Sequence, residues 1–467
     1  MAKRVLILLL VGLGGLACQR DVTIGGGPDA RPDGSPQVGW AISAGGAGAD
    51  GRFGQIAIDG AGDVVITGPF SGTATFGGRV VKAAQLTGRY VAKLRSTDRM
   101  FVWVTPIQGK LQVEYTSGLA TDDAGHIYLA GSFSGTASFG EGPGSIALNA
   151  KGEMDIFVAK LDAGGTPIWA VSAASGSGPL TYHENTTHGY RVATDSSTGE
   201  VTVAGAFRAS GLGADVFVAR LGSDGRGLWT APAGAGGNVV DAALGLAVDR
   251  AGNSYLTGYF GMPGVSSPAV ATFGDVATFP VLNQQLFVAK IGASGQFVWA
   301  VPGELFLSGY DLALDDGGNI YVAIGCSKME LPLAARLNPE GVVTWVARAE
   351  GEAGLENNGS LSLLVGGAGH ATLCGAFSGR KDLGGQLLTA QGDQDMFLAG
   401  LDPQGKVVWA QQAGGSGLDM ATSLARDREG NLYVAGTFEQ TADFGGVRLT
   451  SQGESDLFVW KIPAAVQ

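Results

Sequence analysis

Seven tryptophans, Trp40, Trp103, Trp169, Trp229, Trp299, Trp345 and Trp409, head similar stretches of chain at spacings of 63, 66, 60, 70, 46 and 64 residues. A chain that repeats at such a period is held to architectures in which one unit stacks on copies of itself, because a single unit cannot bury its own apolar face. The text repeats closely: "MDIFVAKLDAGGTPIWAV" from Met154 returns as "QLFVAKIGASGQFVWAV" from Gln285 and "DMFLAGLDPQGKVVWAQ" from Asp395. Each unit offers an [ILV]-A-x-D strand first, at Ile56, Leu119, Val192, Leu246, Leu312 and Leu424; the sixth unit reads "LSLL" from Leu361 instead. A second strand such as "HIYLAGSF" from His126 follows, then one of the "FVAKL" type, and the tryptophan strand comes last.

Glycine, 79 of 467 residues, supplies the many tight turns such strands need, and no amphipathic helical stretch follows the N-terminus. Four short strands in each of seven units predict an all-β fold, a seven-bladed β-propeller with four antiparallel strands per blade. An open solenoid is the alternative. The chain opens on the tryptophan strand "QVGWAISA" and stops after "DLFVWKI", so the N-terminal strand is expected to close the last blade as its outer strand. Small residues at Ala57, Ala120, Ala193, Ala247, Ala313, Ser362 and Ala425 fit an innermost strand, where blades converge. Across residues 38–463 these units resemble the bacterial β-propeller repeats known as SBBP repeats, found in exported and surface proteins. The resemblance is specific for fold and nearly silent on activity.

The N-terminus is read as a separate object. Lys3 and Arg4 precede an apolar run, Val5 to Leu13, too short to span a bilayer as a stable helix and laid out as a secretory signal. It ends "GGLACQRD", which resembles a lipoprotein lipobox with Cys18 as the lipidated first mature residue. Gly15 stands where Leu is usual and Leu16 where a smaller residue is common. Gly15-Leu16-Ala17 also fits ordinary signal cleavage, which would release a secreted, unlipidated protein. By resemblance to enterobacterial sorting, Gln19 favours the outer membrane or cell surface. The expected organisation is a signal peptide over 1–17, a disordered tether over 18–36, rich in Gly, Pro and Asp, and the propeller over 37–467. Loss of Lys3 and Arg4 leaves 28 basic and 42 acidic side chains, net −14, which argues against nucleic acid or anionic lipid as partner. Contact with membrane is expected through the lipid anchor only, and the chain is expected to be a monomer.

Chemistry is harder to find. "DGAGD" at Asp59, "DRAGN" at Asp249, "DDGGN" at Asp315 and "DREGN" at Asp427 have the look of calcium loops, but hairpin turn chemistry explains them and each offers few oxygen ligands. No cofactor is assigned; calcium is kept as an alternative. Glycine runs at Ala44 and Ala233 precede no helix that could hold a phosphate. "YHENTTHGY" holds Tyr182, His183, Glu184 and His188 in an insertion that other units lack. Its histidine spacing is one residue longer than HExxH, so a recognition loop or an incidental polar loop is weighed beside a metal role. Cys326 and Cys374 fall on neighbouring second strands and are expected to be buried thiols.

The connections from each fourth strand to the next first strand vary most and would border one mouth of the channel. Within them an acid recurs five or six places before the inner strand: Asp50, Glu114, Asp241, Glu356 and Asp419, with Thr187 and Leu307 breaking the series. Such a ring could attract a cation or a basic partner, or each acid could simply order its own turn. No Ser-His-Asp, Cys-His or paired-carboxylate constellation can be placed, which lowers the enzyme reading without removing it. The preferred expectation is a noncatalytic binding or scaffolding protein for protein or glycan; a glycan-active hydrolase or lyase and a structural envelope spacer are the alternatives.

Overall fold

The computed structural model describes residues 39–464 apart from 52–53, 112–117, 152–154, 173–190, 209–213, 235–239, 262–269, 282, 306, 327–331 and 352–360. The signal peptide and tether expected before residue 37 lie outside the described residues. So do Cys18, Glu114, Glu356, Tyr182, His183, Glu184 and His188.

The described chain is all-β and built of antiparallel sheets. Its repeating element is clearest in the fourth repeat, where Ala242–Val248, Ser254–Phe260, Gln285–Ile291 and Phe297–Leu305 pair in that order, each antiparallel to the next. The other repeats read from the sequence pair in the same order. In the last, Asp456–Ile462 takes the N-terminal strand Trp40–Gly46 as its outer neighbour, with Trp40 opposite Lys461 and Ala44 opposite Leu457. The two ends of the described chain are thereby joined through backbone pairing.

The sequence follows the position of each strand. Second and third strands such as Ser254–Phe260 and Asp395–Leu401 are buried at every residue, so they read as continuous apolar runs. The outer strands, such as Gly227–Gly234, alternate between exposed and covered positions. First strands of successive repeats touch one another. Thr121 Oγ1 donates to Ile58 O (2.8 Å), Thr194 Oγ1 to Thr121 O (3.3 Å), and the Ile56 amide to Ser423 Oγ (3.2 Å), linking first and last repeats.

The repeated tryptophan is a latch between repeats. Its indole N–H donates to a carbonyl in the third-to-fourth turn of the next repeat: Trp103 to Ala163 (3.1 Å), Trp169 to Ser223 (3.0 Å), Trp229 to Ala293 (2.9 Å), Trp299 to Pro339 (3.2 Å) and Trp345 to Pro403 (3.0 Å). The glycine that closes each such turn is forced twice over. Gly405 has φ +83°, and a Cβ there would come within 2.6 Å of the Trp345 ring.

Four strands per repeat is an incomplete description. Between second and third strands, five repeats throw out a further hairpin that crosses to the preceding repeat and pairs with its tryptophan strand or, in the sixth repeat, with the short strand Glu350–Gly351 just beyond it. The register is constant: the fourth residue after the tryptophan faces a large apolar residue, as in Ile107 opposite Phe139 and Ala233 opposite Phe273. These plugs are Phe76, Phe139, Phe273, Leu383 and Phe444, all essentially fully buried. Phe273 packs its ring 5.1 Å from Phe287 and 5.7 Å from Phe297. Phe444 stands 4.6 Å from Phe458 and 6.0 Å from Trp460. Each hairpin therefore seals the apolar gap between two repeats and pairs an edge strand.

Candidate functional site

Asp50, Asp241 and Asp419 all lie just before first strands, as the spacing predicts, and their side chains turn inward. They are 1%, 0% and 0% exposed. Asp50 accepts the amides of Gly46 (2.6 Å, Oδ2) and Ser71 (2.8 Å, Oδ1). Asp419 accepts those of Gly415 (2.6 Å) and Glu439 (3.2 Å), and Asp241 accepts that of Gly261 (2.8 Å). In each case one carboxylate ties the connection from the preceding tryptophan strand to the start of the inter-repeat hairpin or its equivalent. Glu114 and Glu356, the other members of the series, lie outside the described residues.

Each of these acids has a companion that the sequence reading did not single out. Asp215, Asp395 and Asp456 stand at the start of the third strands, and a Cβ on Gly45 would touch both Asp456 Oδ1 and Asp50 Oδ2. The same is true of Gly234 with Asp215 and Asp241, and of Gly414 with Asp395 and Asp419. The companions are held alike: Asp395 and Asp456 accept the amide four residues back, from Gln391 (3.2 Å) and Gln452 (3.0 Å). Asp155 does the same with Lys151 (3.0 Å). Asp395 Oδ1 and Asp456 Oδ1 are buried without a hydrogen-bond partner.

Burial dominates the electrostatics of these pairs. It pushes the Asp456 carboxyl up to about 7, against the pull of the Gln452 amide and helped by the charge of Asp50. Asp419 is likewise pushed up to about 7 by burial, with Asp395 and Glu439 adding to the rise, and Asp50 to about 6. The signal for the companions was in the text: an acid opens "DIFVAK", "DVFVAR", "DMFLAG" and "DLFVWK".

The turn aspartates at the other end of the first strands are occupied by their own hairpins. Asp249 Oδ1 accepts the amides of Ala251 and Asn253 (both 2.9 Å), while Oδ2 accepts Asn253 Nδ2 (2.8 Å) and the Tyr255 hydroxyl (3.1 Å). Asp427 repeats this with Asn431 and Tyr433. In the first repeat Lys93 Nζ takes the tyrosine's role at Asp59 Oδ2 (2.6 Å). Among the described residues no three His, Cys, Asp or Glu side chains are grouped so as to hold a metal ion. Cys374 is a buried free thiol, pushed up by burial. Of Cys326 only the backbone is described.

Two hollows stand out. One, of about 270 Å³, lies among the first turns of the first, second and last repeats and is lined by charge, with Asp59, Asp122, Asp123 and Glu429 facing Arg426 and Arg428. The other, of about 380 Å³, lies between the fourth and fifth repeats and is mostly apolar. Among the described residues no helix is long and apolar enough to cross a membrane.

Residues 408–437, from the tryptophan strand of the sixth repeat to the second strand of the seventh, match the family model described as a beta-propeller repeat. Among solved structures the chain is similar to a protein of unknown function from Bacteroides caccae, at 15% identity and TM-score 0.34, covering 69% of this chain and 89% of that one. It is also similar to the quinohemoprotein alcohol dehydrogenase of Comamonas testosteroni, at 11% identity and TM-score 0.43, covering 92% and 77%. A protein of unknown function from Dyadobacter fermentans matches at 10% identity and TM-score 0.39, covering 90% and 98%. Likenesses this distant carry no argument about activity. No curated protein sequence matches the chain.

Proposed function

We propose that this chain, which carries a beta-propeller repeat, is an exported, surface-tethered, noncatalytic propeller that binds or scaffolds protein or glycan through its variable loops. Its seven repeats are seven blades of one closed ring. The pairing of Trp40–Gly46 with Asp456–Ile462 and the bond from Ile56 to Ser423 support closure.

The observation that carries the binding reading is the use made of Asp50, Asp241 and Asp419. Each buried carboxylate sits in one of the connections that differ most between repeats and spends its oxygens on backbone amides, those of Gly46 and Gly415 within these connections and those of Ser71, Gly261 and Glu439 where the second strand gives way to the next segment. A buried acid is costly, so this arrangement is suited to holding loops in a fixed shape rather than to meeting a substrate. Fixed loops on a rigid ring make a preorganised recognition face.

Export and anchoring rest on residues 3–18. Intact mass and membrane fractionation of the chain in a Gram-negative host, beside a Cys18→Ala variant, test them. A lipid-sized mass and membrane retention, both lost in the variant, support the anchor; a soluble product cleaved after Ala17 defeats it. Incubation with insoluble glycans separates binding from catalysis. Retention on the solid without release of reducing ends supports the present reading, and steady release defeats it.

A further inference from the structure

The third and fifth repeats go from second to third strand with only residues 209–213 and 327–331 between them, in place of the hairpin that seals the other gaps. In the fifth repeat the gap is the apolar hollow of about 380 Å³. Its lining corresponds, position for position, to the pocket that Phe273 fills one repeat earlier. Leu286 and Val288 stand where Val216 and Val218 stand, Val301 and Gly303 where Ala231 and Ala233 stand, Leu337 where Ile291 stands, and Val343 where Phe297 stands. With no plug, Val343 and Val346 are 55% and 41% exposed, and among the described residues nothing pairs with the outer edge of Phe297–Leu305.

Five segments of the chain show what such a gap accepts: "ATFGG" from Ala74, "ASFGE" from Ala137, "ATFGD" from Ala271, "KDLGG" from Lys381 and "ADFGG" from Ala442. In each, an apolar plug precedes a glycine of positive φ, such as Gly274 at +52° and Gly445 at +66°. A sixth copy of the pattern, "VTIGG" from Val22 to Gly26, lies outside every repeat.

We propose that residues 22–26 of the same chain occupy the open gap between the fourth and fifth repeats, with Ile24 seated as Phe273 is seated between the third and fourth. The constant register of the other hairpins sets the pairing. Gly303, fourth after Trp299, faces Ile24 as Ala233 faces Phe273, at a bulge between Pro302 and Leu305 that the third repeat's strand does not have. Residues 28–38 extend to at most roughly 40 Å, against a radius of gyration of about 22 Å for a compact chain of this size. Docking buries an apolar side chain and pairs an open edge, the two things the other hairpins do. The inference is independent of whether Cys18 carries lipid.

Hydrogen exchange of residues 301–305 tests it in the chain from residue 18, kept in solution by Cys18→Ala, beside the same chain with Ile24→Asp or Ile24→Phe. Residue 24 belongs to no repeat, so these substitutions empty no repeat core. The expected result is exchange about tenfold or more faster with Ile24→Asp and slower with Ile24→Phe, all three chains sedimenting as monomers. Equal exchange in the three chains overturns the proposal. A dimer that dissociates on Ile24→Asp also overturns it, since a second copy would then supply the segment.

Discussion

Replacing Asp456 by asparagine is expected to stabilise the protein most at pH 8 and by less, about 1.5 kcal/mol, at pH 5. Asparagine keeps the oxygen that accepts the Gln452 amide and fills the same space, but it never carries a charge. In the folded chain burial pushes the Asp456 carboxyl up to about 7, with Asp50 as its charged neighbour. In the unfolded chain it titrates at roughly 3.9. Between those values the folded state holds a proton that the unfolded state has released, so stability is fully present below about pH 4, falls progressively from there, and levels off above about pH 7. A shift of about three pK units corresponds to at most about 4 kcal/mol at pH 8, at 1.36 kcal/mol per unit. Urea midpoints of both proteins at pH 5 and pH 8, with slopes compared to check that the transition is unchanged, give the answer. An asparagine variant that is less stable than the parent at pH 8, or that gains equally at both pH values, would refute the reasoning. The first result would mean that the buried charge is compensated by something the carboxylate pair itself does not supply.

Phe273→Ala removes the plug between the third and fourth repeats and should cost about 3–5 kcal/mol, read as a lower urea midpoint with faster exchange of Ala231–Gly234, which the hairpin covers. Trp229→Phe keeps the ring but loses the bond to Ala293 O, and should cost about 1 kcal/mol in the same assay. Gly405→Ala should be more damaging, about 1–3 kcal/mol, because it meets both a positive φ and the Trp345 ring. The triple change of Asp50, Asp241 and Asp419 to asparagine should leave any glycan or protein binding intact at pH 6 while making stability less dependent on pH, measured by pull-down and by urea midpoints. Loss of binding with folding intact would restore the ring of charges as the recognition element.

Much of the architecture was legible because it depends on local pattern. The tryptophan spacing, the four strand types and the strand around Trp40 each state something about one stretch of chain, and Trp40 stands opposite Lys461 as that reading expects. The hairpins between second and third strands were overlooked for a physical reason. Their strands are three or four residues long in several repeats, as in Thr441–Asp443, so they carry little periodicity, and their stability comes from the neighbouring repeat they lie on. Only the recurrence of an apolar residue before glycine, from Phe76 to Phe444, marks them.

The acidic series exposes the limit more sharply. Spacing alone put Asp50, Asp241 and Asp419 in equivalent connections, yet the direction of a side chain in an irregular connection is set by which backbone amides lie within reach, and that is a tertiary fact. Their companions, Asp215, Asp395 and Asp456, open strands that are otherwise apolar, where a charge is out of place unless something compensates it. The compensation is partial, since Asp456 Oδ1 and Asp395 Oδ1 have no hydrogen-bond partner. A fold that repeats so unfavourable an arrangement gains from it elsewhere. The geometry shows two segments fixed side by side, the fourth-to-first connection by the acid before the inner strand and the approach to the third strand by the acid that opens it. Loop sequence can then vary between repeats while the sheets beneath keep their pairing.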